Sequence, residues 1–279
     1  GQQIELLHIT DTHVMTIEGI HPALVLPRQV NILSAPQLEA AFRALRSSPP
    51  DLILHTGDML EAFRYDNGSG GILEGQIERF QEILKLSPAP VYLALGNRDV
   101  SWYRAVGGKQ AVVRDQAVTA EARAAWRRAH ECFRDGTYYR FGKSAGAASY
   151  LFAVLDNGDT ADLELMKRQI AWLRELLRGA DASALVLAAH VPLEENEFGQ
   201  SVLEILGQFN RPVLVLAGHR HTDDIKEFSA APRRVQVRTA SFAGGIQAAR
   251  RIVLREDSIE VYKTSEPSNL LLAIPVAKR

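Results

Sequence analysis

Short apolar runs with the length and composition of buried strands recur along this chain, and polar residues that can bind metal follow them. The runs are Ile4–Ile9, Leu52–Leu54, Val91–Leu95, Leu185–Ala189 and Val213–Leu216. Residues 163–177 carry apolar side chains at helical spacing, which predicts an amphipathic helix. Strands that alternate with helices in this way favour an α/β fold with parallel strands.

The segments between these runs complete the predicted fold. Helices are predicted near 36–46, with Ser34 as the cap, near 76–86, and near 119–133 inside a helical insertion at about 100–135. After residue 221 the pattern changes to short strands, namely Ile225–Phe228, Val235–Thr239, Ile252–Leu254 and Ile259–Tyr262. We therefore expect one domain over residues 1–279, a four-layer αββα sandwich of two mixed sheets flanked by helices.

The composition is that of an ordinary globular protein without a strong overall charge. Apolar residues make up 46%, and 32 basic against 33 acidic residues leave a net charge of −1. Binding to a nucleic-acid polymer or an anionic membrane needs a basic surface, so neither partner is expected. No apolar run reaches the ~20 residues that span a bilayer. A tag remnant or a removed signal segment would both explain Gly1 in place of Met, so the compartment and the oligomeric state stay open.

The residues that follow the predicted strands suit a divalent metal ion. They are two aspartates, one asparagine and four histidines, namely Asp11, His13, Asp58, Asn97, His190, His219 and His221. In an open α/β sheet, ligands bind beyond the carboxyl ends of the strands, so these side chains are predicted to converge there. Cys132 is the only cysteine, which excludes a thiolate cluster and an intrachain disulfide.

The same residues form motifs in a recognisable order, Asp11-Thr-His13, Gly57-Asp58, Gly96-Asn-Arg-Asp99, His190 and Gly218-His-Arg-His221. Together they resemble the signature of the calcineurin-like metallophosphoesterase superfamily, which is Asp-x-His, Gly-Asp, Gly-Asn-His-Asp/Glu, His and Gly-His-x-His. The similarity spans about residues 5–221. The Asp-Thr-His opening and the chain length look like the branch that hydrolyses cyclic nucleotides and glycerophosphodiesters.

The resemblance implies a dinuclear centre with two divalent ions of Mn, Fe, Zn or Co. One ion would be held by Asp11, His13 and His221, and the other by Asn97, His190 and His219, while Asp58 would bridge them. Two such ions lower the pKa of a bridging water, which would be the nucleophile. Each of Gly57, Gly96 and Gly218 precedes a predicted ligand, and we expect its freedom in φ to permit a sharp turn.

Arg98 is the departure from the family signature, which usually has histidine at this position. Arginine stays charged at any working pH and is a poor general acid, but it can bind phosphoryl oxygens. Arg98 is therefore a candidate catalytic residue with Asp58, and a structural ion pair is the alternative. A similar Gly-Asn-Arg-Asp occurs in the UDP-diacylglucosamine pyrophosphohydrolases of the same superfamily.

Further residues beside the motifs are assigned weaker roles. Asp99 is predicted to orient a ligand or its turn, although a cap to the following segment is also possible. A place at the rim of the substrate site is predicted for a group of ring-bearing residues in loops near the motifs, namely His21, Tyr65, Trp102 and Tyr103.

The predicted function is metal-dependent hydrolysis of a small phosphoester, with a preference for phosphodiesters. The alternatives within this chemistry are a phosphomonoesterase and a nucleotide-sugar lipid pyrophosphohydrolase. A metal-free binding scaffold is an alternative of another class, but loss of metal should erase ligands, and here every ligand position is filled. A purely structural zinc site would be enclosed by Cys and His, unlike this oxygen-rich set.

Overall fold

Strands and helices alternate along most of the chain in a computed structural model that describes residues 3–16, 18–264 and 268–277. The strands are β1 Gln3–Ile9, β2 Leu52–His55, β3 Arg64–Asp66, β4 Ile72–Leu73, β5 Val91–Leu93, β6 Trp102–Val106, β7 Lys109–Val113, β8 Tyr139–Ala145, β9 Ala148–Val154, β10 Ala184–Ala188, β11 Val213–Ala217, β12 Asp224–Ala230, β13 Arg233–Arg238, β14 Arg250–Arg255, β15 Ser258–Lys263 and β16 Leu270–Pro275. The helices are α1 Pro22–Val25, α2 Ser34–Ala44, α3 Gln76–Leu84, α4 Gln116–Ala129, α5 Leu163–Arg178 and α6 Glu197–Gln208. Short 3₁₀ segments cover Leu26–Leu33, Leu45–Ser47, Glu131–Phe133 and Leu193–Glu195.

Two mixed six-stranded sheets form the centre of the fold. The first has the order β16-β15-β14-β1-β2-β5, and the second has the order β12-β13-β11-β10-β9-β8. In the first sheet β1, β2 and β5 are parallel, and in the second β9, β10, β11 and β13 are parallel. The remaining strands pair antiparallel at the flanks.

The sheets pack face to face, and helices cover their outer faces. Leu54 lies in the core between the sheets, where Phe152 and Leu214 of the second sheet also lie. Its neighbour Ile53 packs in a different core, against residues of α2, α3 and α4 such as Trp126. Successive strand residues point to opposite faces, and both faces are covered, which explains why these strands are apolar throughout. A third core joins the second sheet to α5 and α6. The predicted four-layer αββα sandwich is confirmed.

A third sheet, with the order β4-β3-β6-β7, was not predicted from the sequence. The expectation of a helical insertion at about 100–135 is therefore wrong for its first part, where β6 and β7 form a hairpin and only α4 is helical. The hairpin turns at Gly107-Gly108, which have φ values of 56° and 74°. Both strands are half-exposed, and such short strands carry little periodic signal.

Ser34 is not the cap of α2. The helix begins at Ser34 itself, and its N-cap residue Leu33 makes no side-chain capping bond. The preceding 3₁₀ segment runs directly into α2, so the amides at this end already lie in a helical backbone. Serine is a common N-cap residue, so the sequence predicted a helix start after Ser34. In the structure helical backbone already precedes Ser34, and no side-chain cap is needed there.

The inter-sheet core positions the ends of the strands, and Leu54→Ala tests this dependence. Leu54 is 0% exposed. We expect the substitution to lower the free energy of unfolding by about 2–5 kcal/mol, because it removes buried methyl groups and leaves a cavity. Urea titration followed by circular dichroism measures this change. Leu163→Ala is the control, since Leu163 is 66% exposed and should shift the midpoint little; equal effects of both variants would contradict the packing argument.

Candidate metal centre

The polar residues that follow β1, β2, β5, β10 and β11 meet at one end of the sandwich. In each case the strand stops a few residues earlier, so the side chains lie at the carboxyl edges of the two packed sheets. All of them except Asp11 and His190 line a cavity of about 330 Å³, and its full lining is His13, Arg28, Asn31, Asp58, Glu61, Asn97, Arg98, His219, Arg220 and His221. The convergence predicted from the sequence is present in the structure.

One group of side chains that could hold a metal ion contains Asp11, His13 and His221. The Nε2 atoms of the two histidines are 3.0 Å apart. Asp11 Oδ1 lies 3.1 Å from His221 Nε2 and 3.6 Å from His13 Nε2. Three donor atoms from segments about 200 residues apart in the sequence therefore lie within 4.8 Å of one another.

A second group contains Asp58, His190 and His219, with Asn97 beside it. His190 Nε2 lies 3.4 Å from Asp58 Oδ1, 3.2 Å from His219 Nδ1 and 3.1 Å from Asn97 Oδ1. The donor atoms of Asp58, His190 and His219 are all within 4.8 Å of one another. The division of residues between the two groups is the one implied by the resemblance.

Asp58 lies between the two groups. Its Oδ2 atom is 3.9 Å from His13 Nε2 in the first group, while its Oδ1 atom is 3.4 Å from His190 Nε2 in the second. The backbone N–H of Arg98 donates a hydrogen bond of 2.8 Å to Asp58 Oδ1 and fixes the orientation of the carboxylate. Each oxygen of this residue thus faces a different donor group.

Several of these residues adopt a strained backbone. Residues other than glycine with positive φ include Asp11 at 52°, His13 at 45°, Asp58 at 52°, His219 at 71° and His221 at 55°. Such conformations cost free energy for a residue with a side chain, and they cluster at functional sites when the surrounding fold enforces them. The strain is therefore concentrated at the predicted ligands.

Close packing explains two of the three glycines better than conformational freedom does. Gly57 has a φ of +94°, as expected from the sharp turn. Gly96 and Gly218 do not have positive φ. The expectation that these two glycines are needed for their freedom in φ is therefore wrong. A Cβ at Gly96 would lie 2.2 Å from Asp58 Oδ1, and one at Gly218 would lie 2.4 Å from Asp11 Oδ2. These glycines leave room for the carboxylates.

Hydrogen bonds outside the two groups fix the orientation of the histidine rings. His190 Nδ1 lies 2.8 Å from the Thr56 carbonyl oxygen and must donate to it, so Nε2 is the atom free to bind a cation. His13 Nδ1 forms an ion pair of 2.8 Å with Glu61 Oε2, which also restrains that ring. The Asn157 side chain accepts from the backbone N–H of His190 at 2.8 Å.

The buried carboxylates favour positive charge at this site. Burial alone would lower the pKa of His190, but Asp58 and Asp11 raise it to about 9. For His13, burial is likewise outweighed, and Glu61, Asp11 and Asp58 raise the pKa well above its usual value. Burial, together with the nearby charge of His190, lowers the pKa of His219 to about 4. The electrostatic environment therefore suits a cation among these rings.

The donor set fits divalent metal ions. Asp11 Oδ1 is buried and forms no hydrogen bond of good geometry with the described residues. The facing Nε2 atoms of His13 and His221 can share a proton or a metal ion, since at most one of them can donate to the other. Carboxylate, amide and imidazole donors without thiolate are common ligands of divalent metal ions.

Arg98 and Asp99 have separate roles beside the donor groups. The Arg98 guanidinium lines the cavity and donates to the Tyr103 hydroxyl, and no carboxylate of the described residues forms an ion pair with it. Asp99 accepts from the backbone N–H groups of Gly96 at 2.8 Å and Leu60 at 2.9 Å. Asp99 thereby holds its own turn against the loop that carries Asp58.

The predicted rim positions are wrong for Tyr65 and Tyr103. Both are 1% exposed, and their rings stack with centroids 5.8 Å apart. The rings of Tyr65 on β3 and Tyr103 on β6 pack in the small core of the third sheet. This sheet was not predicted from the sequence. His21 and Trp102 are half-buried and do not line the cavity; His21 caps α1, and the Trp102 indole donates to Asp66 at 3.1 Å.

Outside the sequence motifs, three residues at the cavity were missed by sequence reasoning, namely Arg28, Asn31 and Glu61. Glu61 lies only three positions after Asp58, but the motif gives no sign that its carboxylate contacts His13. Arg28 and Asn31 come from the irregular segment after the first motif. Their positions depend on how that segment folds back, so no periodic signal could have identified them.

Comparison with solved structures identifies the fold. A dimetal phosphatase from Danio rerio superposes with a TM-score of 0.65 at 13% identity, covering 98% of this chain and 99% of that chain. A purple acid phosphatase from yellow lupin (Lupinus luteus) seeds gives a TM-score of 0.60 at 12% identity, covering 99% of this chain and 54% of that chain. At such identities the likeness concerns the fold alone. A search of curated proteins gave no match.

The family assignment comes from the sequence model that describes the calcineurin-like phosphoesterases. It matches residues 4–223, which include both donor groups and the strands that carry them. Three observations agree with this match: the order of the motifs, the shared fold and the two groups of side chains that could hold metal ions. This chain belongs to the calcineurin-like phosphoesterase family.

Proposed function

We propose that this chain hydrolyses a phosphoester at a dinuclear metal centre and that phosphodiesters are its preferred substrates. The observation that carries the proposal is Asp58, whose two oxygens face different groups of ligands. A carboxylate in this position can be shared by two cations. The family supplies the reaction class, and the geometry of this carboxylate supports two ions rather than one.

The residues of the two groups would hold one ion each. Asp11, His13 and His221 would bind the first, and Asn97, His190 and His219 would bind the second, with Asp58 shared. Two divalent ions bound there would act as Lewis acids toward the phosphoryl oxygens and lower the pKa of a water between them. No side-chain nucleophile is then required.

The protein itself contributes binding and orientation of the substrate. The Arg98 guanidinium lines the cavity, bears no ion pair with a described carboxylate, and can donate to phosphoryl oxygens. Because arginine keeps its proton, Arg98 stabilises developing negative charge and does not protonate the leaving group. We therefore propose that water protonates the leaving group, or that the leaving group departs without being protonated.

The preference for phosphodiesters rests on the Asp-Thr-His opening, which looks like the diesterase branch. A nucleotide-sugar lipid pyrophosphohydrolase is the second candidate, because the motif Gly96-Asn-Arg-Asp99 is similar to that of those enzymes. A phosphomonoesterase shares the same donor groups. A metal-free scaffold is disfavoured because every expected ligand position is filled.

Asp58→Ala tests the shared ligand. We expect it to abolish hydrolysis and to reduce bound metal below that of the wild type, because both ions lose a ligand, while the fold is retained. Metal analysis, circular dichroism and a phosphoester assay measure these effects. Asp135→Ala, which removes an exposed carboxylate elsewhere, is the control. Full activity of the Asp58 variant would refute the role.

Arg98→Ala tests the role of this arginine in transition-state binding. We expect kcat to fall by about tenfold or more with metal content near that of the wild type, since a hydrogen bond to a charged group contributes roughly 1.5–3 kcal/mol. Arg134→Ala removes an arginine that is 71% exposed and should leave kinetics unchanged. Unchanged kinetics in the Arg98 variant would make this residue structural.

A comparison of two chromogenic esters under Mn²⁺ tests the substrate class. We expect bis-p-nitrophenyl phosphate to be hydrolysed with a higher kcat/KM than p-nitrophenyl phosphate. Protein treated with a chelator should lose both activities and regain them when Mn²⁺ is added. A clear preference for the monoester would overturn the diesterase assignment, while the metal dependence would still support the reaction class.

A further inference from the structure

Two arginines from distant segments meet at the same side of the catalytic cavity. Arg28 belongs to the 3₁₀ segment Leu26–Leu33, and Arg98 belongs to the turn after β5. Both line the cavity together with three histidines of the donor groups, His13, His219 and His221. Only Arg98 belongs to a motif of the family signature, so Arg28 is a feature of this chain that the motifs do not describe.

The Tyr103 hydroxyl holds the two guanidinium groups. It accepts from Arg28 Nη2 at 2.9 Å, accepts from Arg98 Nη1, and donates to Glu61 Oε1 at 2.8 Å. These bonds use the whole donor and acceptor capacity of one hydroxyl. The Cζ atoms of Arg28 and Arg98 also lie 5.8 Å and 5.2 Å from the centroid of the Tyr103 ring, within cation–π distance.

Glu61 connects this cluster to the metal-binding histidine. Its Oε1 atom lies 2.8 Å from Arg28 Nε, and its Oε2 atom lies 2.8 Å from His13 Nδ1. Asn31 donates to Oε2 at 3.0 Å. Arg28 is thus separated from a predicted ligand by a single carboxylate, and its position is fixed on two sides.

Placing two guanidinium groups on one hydroxyl brings like charges together. Glu61 is the only described carboxylate that forms an ion pair with either guanidinium, and it also contacts His13, so its single negative charge leaves positive charge in excess beside the cavity. Each guanidinium has five N–H donors, and Tyr103 and Glu61 use only some of them. The remaining donors and the excess charge suit the oxygens of a phosphoryl group.

We propose that Arg28 binds phosphoryl oxygens of the substrate together with Arg98, and that Tyr103 positions both guanidinium groups for this contact. The inference rests on the proposed function, because the bound group is taken to be the phosphoryl group that is hydrolysed. Arg28 is a substrate-binding residue, and Tyr103 acts only through the two arginines. The ligand class is a phosphate or phosphoester anion.

The test measures binding of inorganic phosphate to metal-loaded protein by calorimetry, with metal content and kinetics in parallel. We expect Arg28→Ala to weaken phosphate binding and raise KM by about tenfold or more, because a charge-assisted hydrogen bond is lost. The metal content should equal that of the wild type, and kcat should change less than KM. Tyr103→Phe should weaken phosphate binding less, by about threefold to tenfold, since both arginines remain but lose their common anchor.

Tyr65→Phe is the matched control for Tyr103→Phe. The two rings stack in the same buried core, but the Tyr65 hydroxyl has no hydrogen-bond partner among the described residues. This control should bind phosphate like the wild type. Equal effects of the two tyrosine variants, unchanged phosphate binding in Arg28→Ala, or loss of metal in Arg28→Ala would each overturn the proposal. Phosphate binding without hydrolysis of any ester would instead refute the proposed function and leave the comparison of variants valid.

Discussion

The confinement of buried carboxylates and imidazoles in one small volume is the constraint on which the site depends. Asp11 and Asp58 are nearly inaccessible to water, and their charges must be balanced by groups within the fold. The histidines around them present ring nitrogens to one another at 3.0 to 3.2 Å, close enough to share a proton or a metal ion. A bound metal ion would satisfy both the carboxylates and the imidazoles of this cluster.

The sandwich is what holds the cluster together. Strands covered on both faces give the backbone at their carboxyl ends little freedom to relax, so left-handed conformations at residues such as Asp58 and His219 can persist. Close approach of Gly96 to Asp58 and of Gly218 to Asp11 leaves no space for a side chain at either glycine. Rigid packing thus sets the positions of the ligands before any ion is bound.

Side chains that contact the predicted ligands also fix the positions of the arginines that line the cavity. Glu61 contacts His13 with one oxygen and Arg28 with the other. The Tyr103 hydroxyl then links that carboxylate to Arg98. A predicted metal ligand and two arginines that face the cavity are consequently parts of one polar network.

The sequence by itself determined the fold class and the candidate ligands, because both depend on local patterns. Apolar runs mark strands that are buried on both faces, and a residue placed just after a parallel strand must lie at the carboxyl edge of its sheet. The tertiary structure alone decided what depends on contacts between distant segments. The third sheet buried Tyr65 and Tyr103, and the folding back of the segment after the first motif brought Arg28 to Glu61. Neither contact leaves a periodic trace in the chain, since side-chain pairing across the fold is set by the packing of whole elements.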